Sequence, residues 1–133
     1  LNLRLAFFMK DEAIEELKNC SILLMEAWKQ KDSPTLNKLI DDDALFISEI
    51  IGNYHFKKND YVHAMINRFP LKNYKIEFLN FSSANTAQAV VQIKLYLPAL
   101  GGIDVESVYL VTDIWIRKSN DWKLFVRQPV NLK

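Results

Sequence analysis

Cysteine is nearly absent: Cys20 is the only one among 133 residues. A single thiol excludes an internal disulfide and any cysteine-cluster zinc site. Glycine and proline are also scarce, at 3 and 4, which excludes collagen-like and low-complexity chains. Histidine occurs twice, as His55 and His63. Their spacing, across a strand and a helix, matches no recognised metal motif, so no metal and no other cofactor is expected. An excess of charge of one sign is missing too. Lys and Arg total 17 and Asp and Glu total 16, leaving a formal net charge of +1. No nucleic-acid partner is therefore expected. No apolar run reaches the ~18 residues of a membrane span, so no membrane partner is expected either. Phosphate loops, a nucleophile elbow and a dinucleotide fingerprint are all absent.

What is there is an ordinary globular composition, 50% hydrophobic and 12% aromatic. A chain of this size makes one domain and buries roughly two thirds of its unfolded surface. Residues 1–133 read as a single domain, with residues 1–10 open as an N-terminal extension. Leu1 to Phe8 can be a helix extension, an upstream segment or the remnant of an export signal. A cytoplasmic location is expected, with export as the alternative if they are such a remnant.

Asp11 to Lys31 reads as one long helix, acidic in its first turns and basic in its last, as the helix dipole favours. Ile14, Leu17, Ser21, Leu24 and Trp28 form its apolar stripe, and Ile22 to Trp28 is apolar nearly all round. Ser33-Pro34 predicts the cap and first turn of a second helix, which Asp41-Asp42-Asp43 ends as a solvated terminus. Ala44–Ile51 and Tyr54–Phe56 follow as short strands around Gly52-Asn53. Asn59 is expected to cap a third helix with Val62, Met65, Ile66 and Phe69 on one face, stopped by Pro70. Four strands then follow: Tyr74–Phe81, Thr86–Leu97, Val105–Lys118 and Trp122–Val130. Gly101-Gly102 and Ser119-Asn120-Asp121 mark tight reversals between antiparallel partners. In the Val105 strand, Tyr109, Val111, Asp113 and Trp115 share one face, and Leu110, Thr112, Ile114 and Ile116 the other. Both faces are largely apolar, so helices should cover one and a second subunit the other.

Helices followed by an antiparallel meander make an α+β fold. The element order resembles the nuclear transport factor 2-like superfamily in its SnoaL-like branch. So do four local strings: Glu26-Ala-Trp-Lys-Gln-Lys-Asp32, Leu45-Phe-Ile-Ser-Glu-Ile-Ile-Gly52, Thr112-Asp-Ile-Trp-Ile-Arg117 and Trp122-Lys-Leu-Phe-Val-Arg-Gln128. The likeness spans about Asp11 to Val130. It implies a cone: a curved antiparallel sheet wrapped around the long N-terminal helix, two shorter helices, a pocket at the open end, and a homodimer through the outer sheet face. It also implies candidate roles. Asp113 lines up with the protonated aspartate of ketosteroid isomerase, and Glu49 roughly with its base. The isomerase's helix-one tyrosine has no counterpart, because the matching place is near Leu24 and that helix carries neither tyrosine nor histidine.

The residues themselves support related expectations. Asp113 lies in an apolar string, where desolvation favours the neutral acid and a hydrogen-bond donor. Glu49 at a pocket mouth suits proton abstraction next to a carbonyl. Leu24, Trp28, Phe46, Tyr54, Met65, Phe69 and Trp115 are the expected ligand-lining side chains. Arg127 is read as a rim or dimer-surface residue, facing opposite to Leu124 and Val126. One expectation is a small-molecule binding protein for an apolar or carbonyl-containing ligand. The alternatives are an isomerase, cyclase or dehydratase using Glu49 and Asp113, and a dimeric interaction module.

Overall fold

A computed structural model describes residues 9–48, 54–97 and 106–132, with Tyr54, His55 and Ala84 described by their backbone only. The elements run α1 (Asp11–Lys29), α2 (Ser33–Leu39), β1 (Ile40–Ser48), β2 (Tyr54–Lys57), α3 (Lys58–Asn67), β3 (Lys75–Asn85), β4 (Gln88–Leu97), β5 (Ser107–Lys118) and β6 (Asp121–Asn131). The six strands form one sheet in the order β2-β1-β6-β5-β4-β3. The last four strands are antiparallel neighbours, as the turn residues predict. The sheet is nevertheless mixed, because β1 runs parallel to β6. The helices cover its concave face, and the architecture is the α+β cone. Residues 1–8 and Gly101-Gly102 lie outside the described residues.

Alternation decides which side chains face the helices. In β5, Tyr109, Val111, Asp113 and Trp115 are buried, and the residues between them are half-buried. In β4 the buried set is Ala89, Val91, Ile93, Leu95 and Leu97. From α1, Leu17, Ser21, Leu24, Met25 and Trp28 close over this layer. The Trp28 indole Nε1 donates to the carbonyls of Met65 at 3.0 Å and Phe69 at 2.8 Å. One side chain thus satisfies two carbonyls at the end of α3 and ties that helix to α1. In the apolar stretch of α1, Leu24, Met25, Ala27 and Trp28 are buried, whereas Ile22 and Leu23 are 42% and 49% exposed.

Several boundaries move for local reasons. The cap of α2 is Asp32, not Ser33, and its carboxylate accepts from the Thr35 amide at 3.2 Å and hydroxyl at 2.6 Å. Helix α3 starts at Lys58 with no side-chain cap, so Asn59 sits inside its first turn. Asp41, Asp42 and Asp43 belong to β1 rather than to a helix end. Asp41 is buried and held by the Lys118 ammonium at 2.7 Å, while Asp42 accepts from Lys58 at 2.8 Å. β3 runs on to Asn85, so its reversal falls at Thr86-Ala87.

Two turns use the left-handed region without glycine. Ser119 and Asn120, with φ of 50° and 67°, form the two-residue connection between β5 and β6, the geometry of a type I′ hairpin. Lys31, with φ of 55°, ends α1. Its amide donates to the Trp28 carbonyl at 3.1 Å, and the Asp32 amide donates to the Ala27 carbonyl at 2.8 Å. That is a Schellman motif, whose left-handed position glycine normally fills. We expect Lys31→Gly to stabilise the protein by about 0.5–1 kcal/mol, the steric relief less the added freedom of the unfolded chain. Urea unfolding checks this, and an unchanged or lower midpoint would contradict it.

Candidate functional site

Register places one row of side chains across all six strands. Phe56 pairs with Phe46, Phe46 with Arg127, Arg127 with Asp113, Asp113 with Val91 and Val91 with Phe81. A charged pair therefore lies in the middle of an aromatic and aliphatic row on the concave face. Asp113 is fully buried and Arg127 is 2% exposed. Arg127 Nε donates to Asp113 Oδ1 and Arg127 Nη2 donates to Asp113 Oδ2, each at 2.8 Å. This is the two-pronged match of a planar guanidinium with a carboxylate.

Strict alternation along β6 would have put Arg127 on the outside. The ladder shows why it is not there. Ile114 pairs with Val126 and Trp115 with Leu124, so Phe125 is an extra residue opposite no partner. Such a bulge reverses the facing of everything beyond it. Trp122, Leu124 and Arg127 consequently all turn to the core. The expectation of a rim or dimer-surface arginine is corrected on this ground.

The third polar group comes from α3. The Tyr61 ring lies flat on Phe46, with centroids 3.6 Å apart and planes 6° from parallel. Its phenol lies close enough to Arg127 and Asp113 to feel their charges. Burial pushes the phenol above its ordinary range; Arg127 pulls it down and Asp113 adds to the rise, and the net direction is up. Tyr61 therefore stays neutral near physiological pH. A phenol beside a guanidinium that needs acceptors turns its oxygen lone pair to the cation and its proton elsewhere. Burial disfavours the charge on Arg127, but Asp113 first and Tyr61 second outweigh it, and the guanidinium holds its proton more tightly than usual.

The expected site residues are distributed unevenly. Leu24, Trp28, Phe46, Met65 and Trp115 are buried in the core cluster, and Phe69 packs against it. They pack with one another as core side chains. Trp115 Nε1 is buried with no hydrogen-bond partner among the described residues. Glu49 lies outside the described residues, and so does the side chain of Tyr54. Asp113 is where the expectation placed it, on the concave face beside Trp115, but both its oxygens accept from Arg127. That geometry serves a carboxylate acceptor, not the neutral donor expected for it. Tyr61, which sequence reasoning passed over, brings a phenol to this place. Its signal was present: Tyr61, Met65 and Phe69 are four residues apart, on the edge of the helical stripe. His63, by contrast, is exposed, and its Nδ1 lies 3.1 Å from Asn67 Nδ2.

No protein-family model and no curated protein matches the sequence. Solved structures do match. An NTF2-like protein from Cytophaga hutchinsonii aligns with a TM-score of 0.78 at 16% identity, over 93% of this chain and 100% of that one. A conserved protein from Planctomyces limnophilus aligns with a TM-score of 0.79 at 18% identity, over 92% and 100%. A ketosteroid isomerase-like protein from Erwinia carotovora atroseptica aligns with a TM-score of 0.75 at 12% identity, over 93% and 99%. The chain has the nuclear transport factor 2-like fold. One fold of this kind carries many functions, so the site has to speak for itself.

The ion pair makes a stability prediction. Removing one partner of a buried pair strands the other charge, at a cost of about 3–5 kcal/mol, whereas replacing both with apolar residues is often neutral. We expect Arg127→Met and Asp113→Leu each to destabilise strongly, and the double variant to recover most of the loss. Denaturant unfolding of the three variants measures it. Additive losses in the double variant would mean that the pair contributes little.

Proposed function

We propose that this chain is a small-molecule-binding domain that holds an otherwise apolar, carbonyl-bearing ligand at the concave face. Tyr61 is the hydrogen-bond donor to the carbonyl, and Arg127 is the fixed positive charge behind it. The observation that carries this reading is the polar group in the middle of an apolar row: Arg127 gripped by Asp113, with the neutral Tyr61 phenol against it. A buried ion pair is a poor device for stability alone, because desolvation offsets most of its attraction. As a device for positioning it is effective. Asp113 fixes the guanidinium plane, and the phenol beside it is the donor that a ligand's carbonyl would meet. Phe46, on which the phenol stacks, and its ladder partner Phe56 favour a ligand that is apolar apart from that one acceptor.

The reading gives Asp113 no proton-transfer role. Proton abstraction next to a carbonyl needs a base with a free lone pair. Both Asp113 oxygens are engaged by Arg127, so Asp113 neither donates as an acid nor stands free as a base. We expect cyclic ketones to raise the thermal midpoint more than the matched hydrocarbons do. Tyr61→Phe should erase that preference, a loss of about five- to tenfold in ketone affinity for one hydrogen bond. Calorimetric titration with cyclohexanone derivatives and their hydrocarbon analogues measures it. An unchanged ketone preference in Tyr61→Phe would overturn the assignment.

A second reading concerns the outer face of the sheet. Val90, Ile114 and Val126 are neighbours in register there, as are Leu110 and Val130. All five are half-buried in the single chain, as two apolar groups with the polar row Gln92, Thr112 and Gln128 between them. We propose that a second copy of the chain covers this face, since a self-complementary face is the simplest way to bury such a surface. The wild type should then elute as a dimer at micromolar concentration and Ile114→Lys as a monomer, by size exclusion with light scattering. A monomeric wild type would refute this reading.

A further inference from the structure

A second candidate site lies away from the Tyr61–Arg127 centre, at the end of the sheet where β3 starts and β4 ends. It is a surface recess of about 270 Å³ lined by Asn73, Tyr74, Lys75, Tyr96 and Glu106. Lys75 and Tyr96 are direct cross-strand partners, which brings one side chain over the other. The Lys75 ammonium stands 5.2 Å from the centre of the Tyr96 ring. That is within the range of attraction between a cation and an aromatic face.

Both phenols are tied to carboxylates. Tyr74 donates to Glu26 at the end of α1, and Tyr96 donates to Glu77 at 3.2 Å. Hydrogen bonding to an anion leaves each ring richer in electrons and orients it. Burial first, and Glu26 second, push the Tyr74 phenol up to about 12, so it remains a neutral donor over the physiological range. Glu106 adds a third carboxylate, in the lining itself. Lys94 stands across from Glu77 in the ladder and faces the same end of the sheet. Among the described residues no group of three acidic, histidine or cysteine side chains converges to hold a metal ion. The recess offers aromatic faces and carboxylates at its edges, which suits a diffuse organic cation better than a compact metal.

We propose that this recess binds a small alkylammonium ion, taking the place over the Tyr96 ring that Lys75 fills from within the chain. The cation lies against the Tyr96 ring, with the Glu106 carboxylate as its counter-charge. Lys75 is then an internal competitor: its ammonium must swing out to solvent when the ligand enters. An exposed lysine on a flexible stem can do so at little cost.

The test is a titration of the whole chain with choline, and with its neutral isostere 3,3-dimethylbutan-1-ol, followed by amide and side-chain NMR. We expect choline to shift the Tyr74, Lys75, Tyr96 and Glu106 signals saturably in the millimolar range, and the isostere to leave them nearly unmoved. Lys75→Ala should tighten choline binding several-fold, because the competitor is gone. Tyr96→Leu should weaken it about fivefold or more. Lys75 is exposed, so Lys75→Ala retains the fold and keeps the test decisive if Tyr96→Leu does not. Equal responses to choline and the isostere, or a Lys75→Ala variant that binds no better than wild type, would overturn the proposal.

Discussion

The grip of Arg127 on Asp113 is the interaction on which the rest of the concave face depends. It joins the two central strands of the sheet, β6 and β5, through two hydrogen bonds of 2.8 Å in a fully buried setting. A guanidinium cannot be left without acceptors in such a place, and a carboxylate cannot be left without donors. Each therefore dictates the position of the other, and Tyr61 lies beside them. The phenol stacks on Phe46, which is Arg127's own neighbour in the parallel β1–β6 ladder. Ladder, bulge, ion pair and phenol make one geometric unit, and no member can shift without disturbing the next.

The bulge at Phe125 is the enabling feature. Without it β6 would keep strict alternation, and Arg127 would face outward with Gln128 facing the core. With it, the end of β6 near the hairpin buries Trp122 and Leu124, while its far half buries Arg127. The hairpin end is secured separately. Trp122 Nε1 and Arg117 Nη2 both donate to Glu16 of α1, at 3.0 and 2.9 Å, and the Arg117 guanidinium lies over the Trp122 ring. α1 is thus fastened to the sheet at its first turns by Glu16 and to α3 near its last by Trp28. The polar centre lies between the two fastenings.

Much of the fold was legible in the residues. The alternation of Tyr109, Val111, Asp113 and Trp115 marked the inner face of β5, and Val62, Met65 and Phe69 marked the packed side of α3. Ser119-Asn120 marked a tight hairpin. What was not legible shares one character: it depends on partners distant in sequence. Nothing local in Asp41 tells of Lys118, and the β1–β6 pairing joins residues more than eighty positions apart in parallel. The facing of Arg127 required knowing that Phe125 has no partner across the ladder. The site followed the same rule. Asp113 was legible as a buried acid, because its own neighbours are apolar. Its partner was not, so its chemistry was misread as that of a neutral donor. Tyr61 was overlooked because the resemblance directed attention to the first helix, where Leu24 stands in the core.

The fold admits enzymes, binding modules and scaffolds alike, so the arrangement of donors at the concave face has to discriminate among them. Here the acid is committed to an arginine. Under the proposed reading the tyrosine beside the pair recognises a carbonyl oxygen. The most direct test of this account is a crystal structure of the protein with a bound cyclic ketone. The account predicts the carbonyl oxygen within hydrogen-bond reach of Tyr61 Oη, about 2.6–3.2 Å, with the Asp113–Arg127 pair intact. A ketone oxygen bound instead by Asp113, with Arg127 swung away from it, would contradict the account.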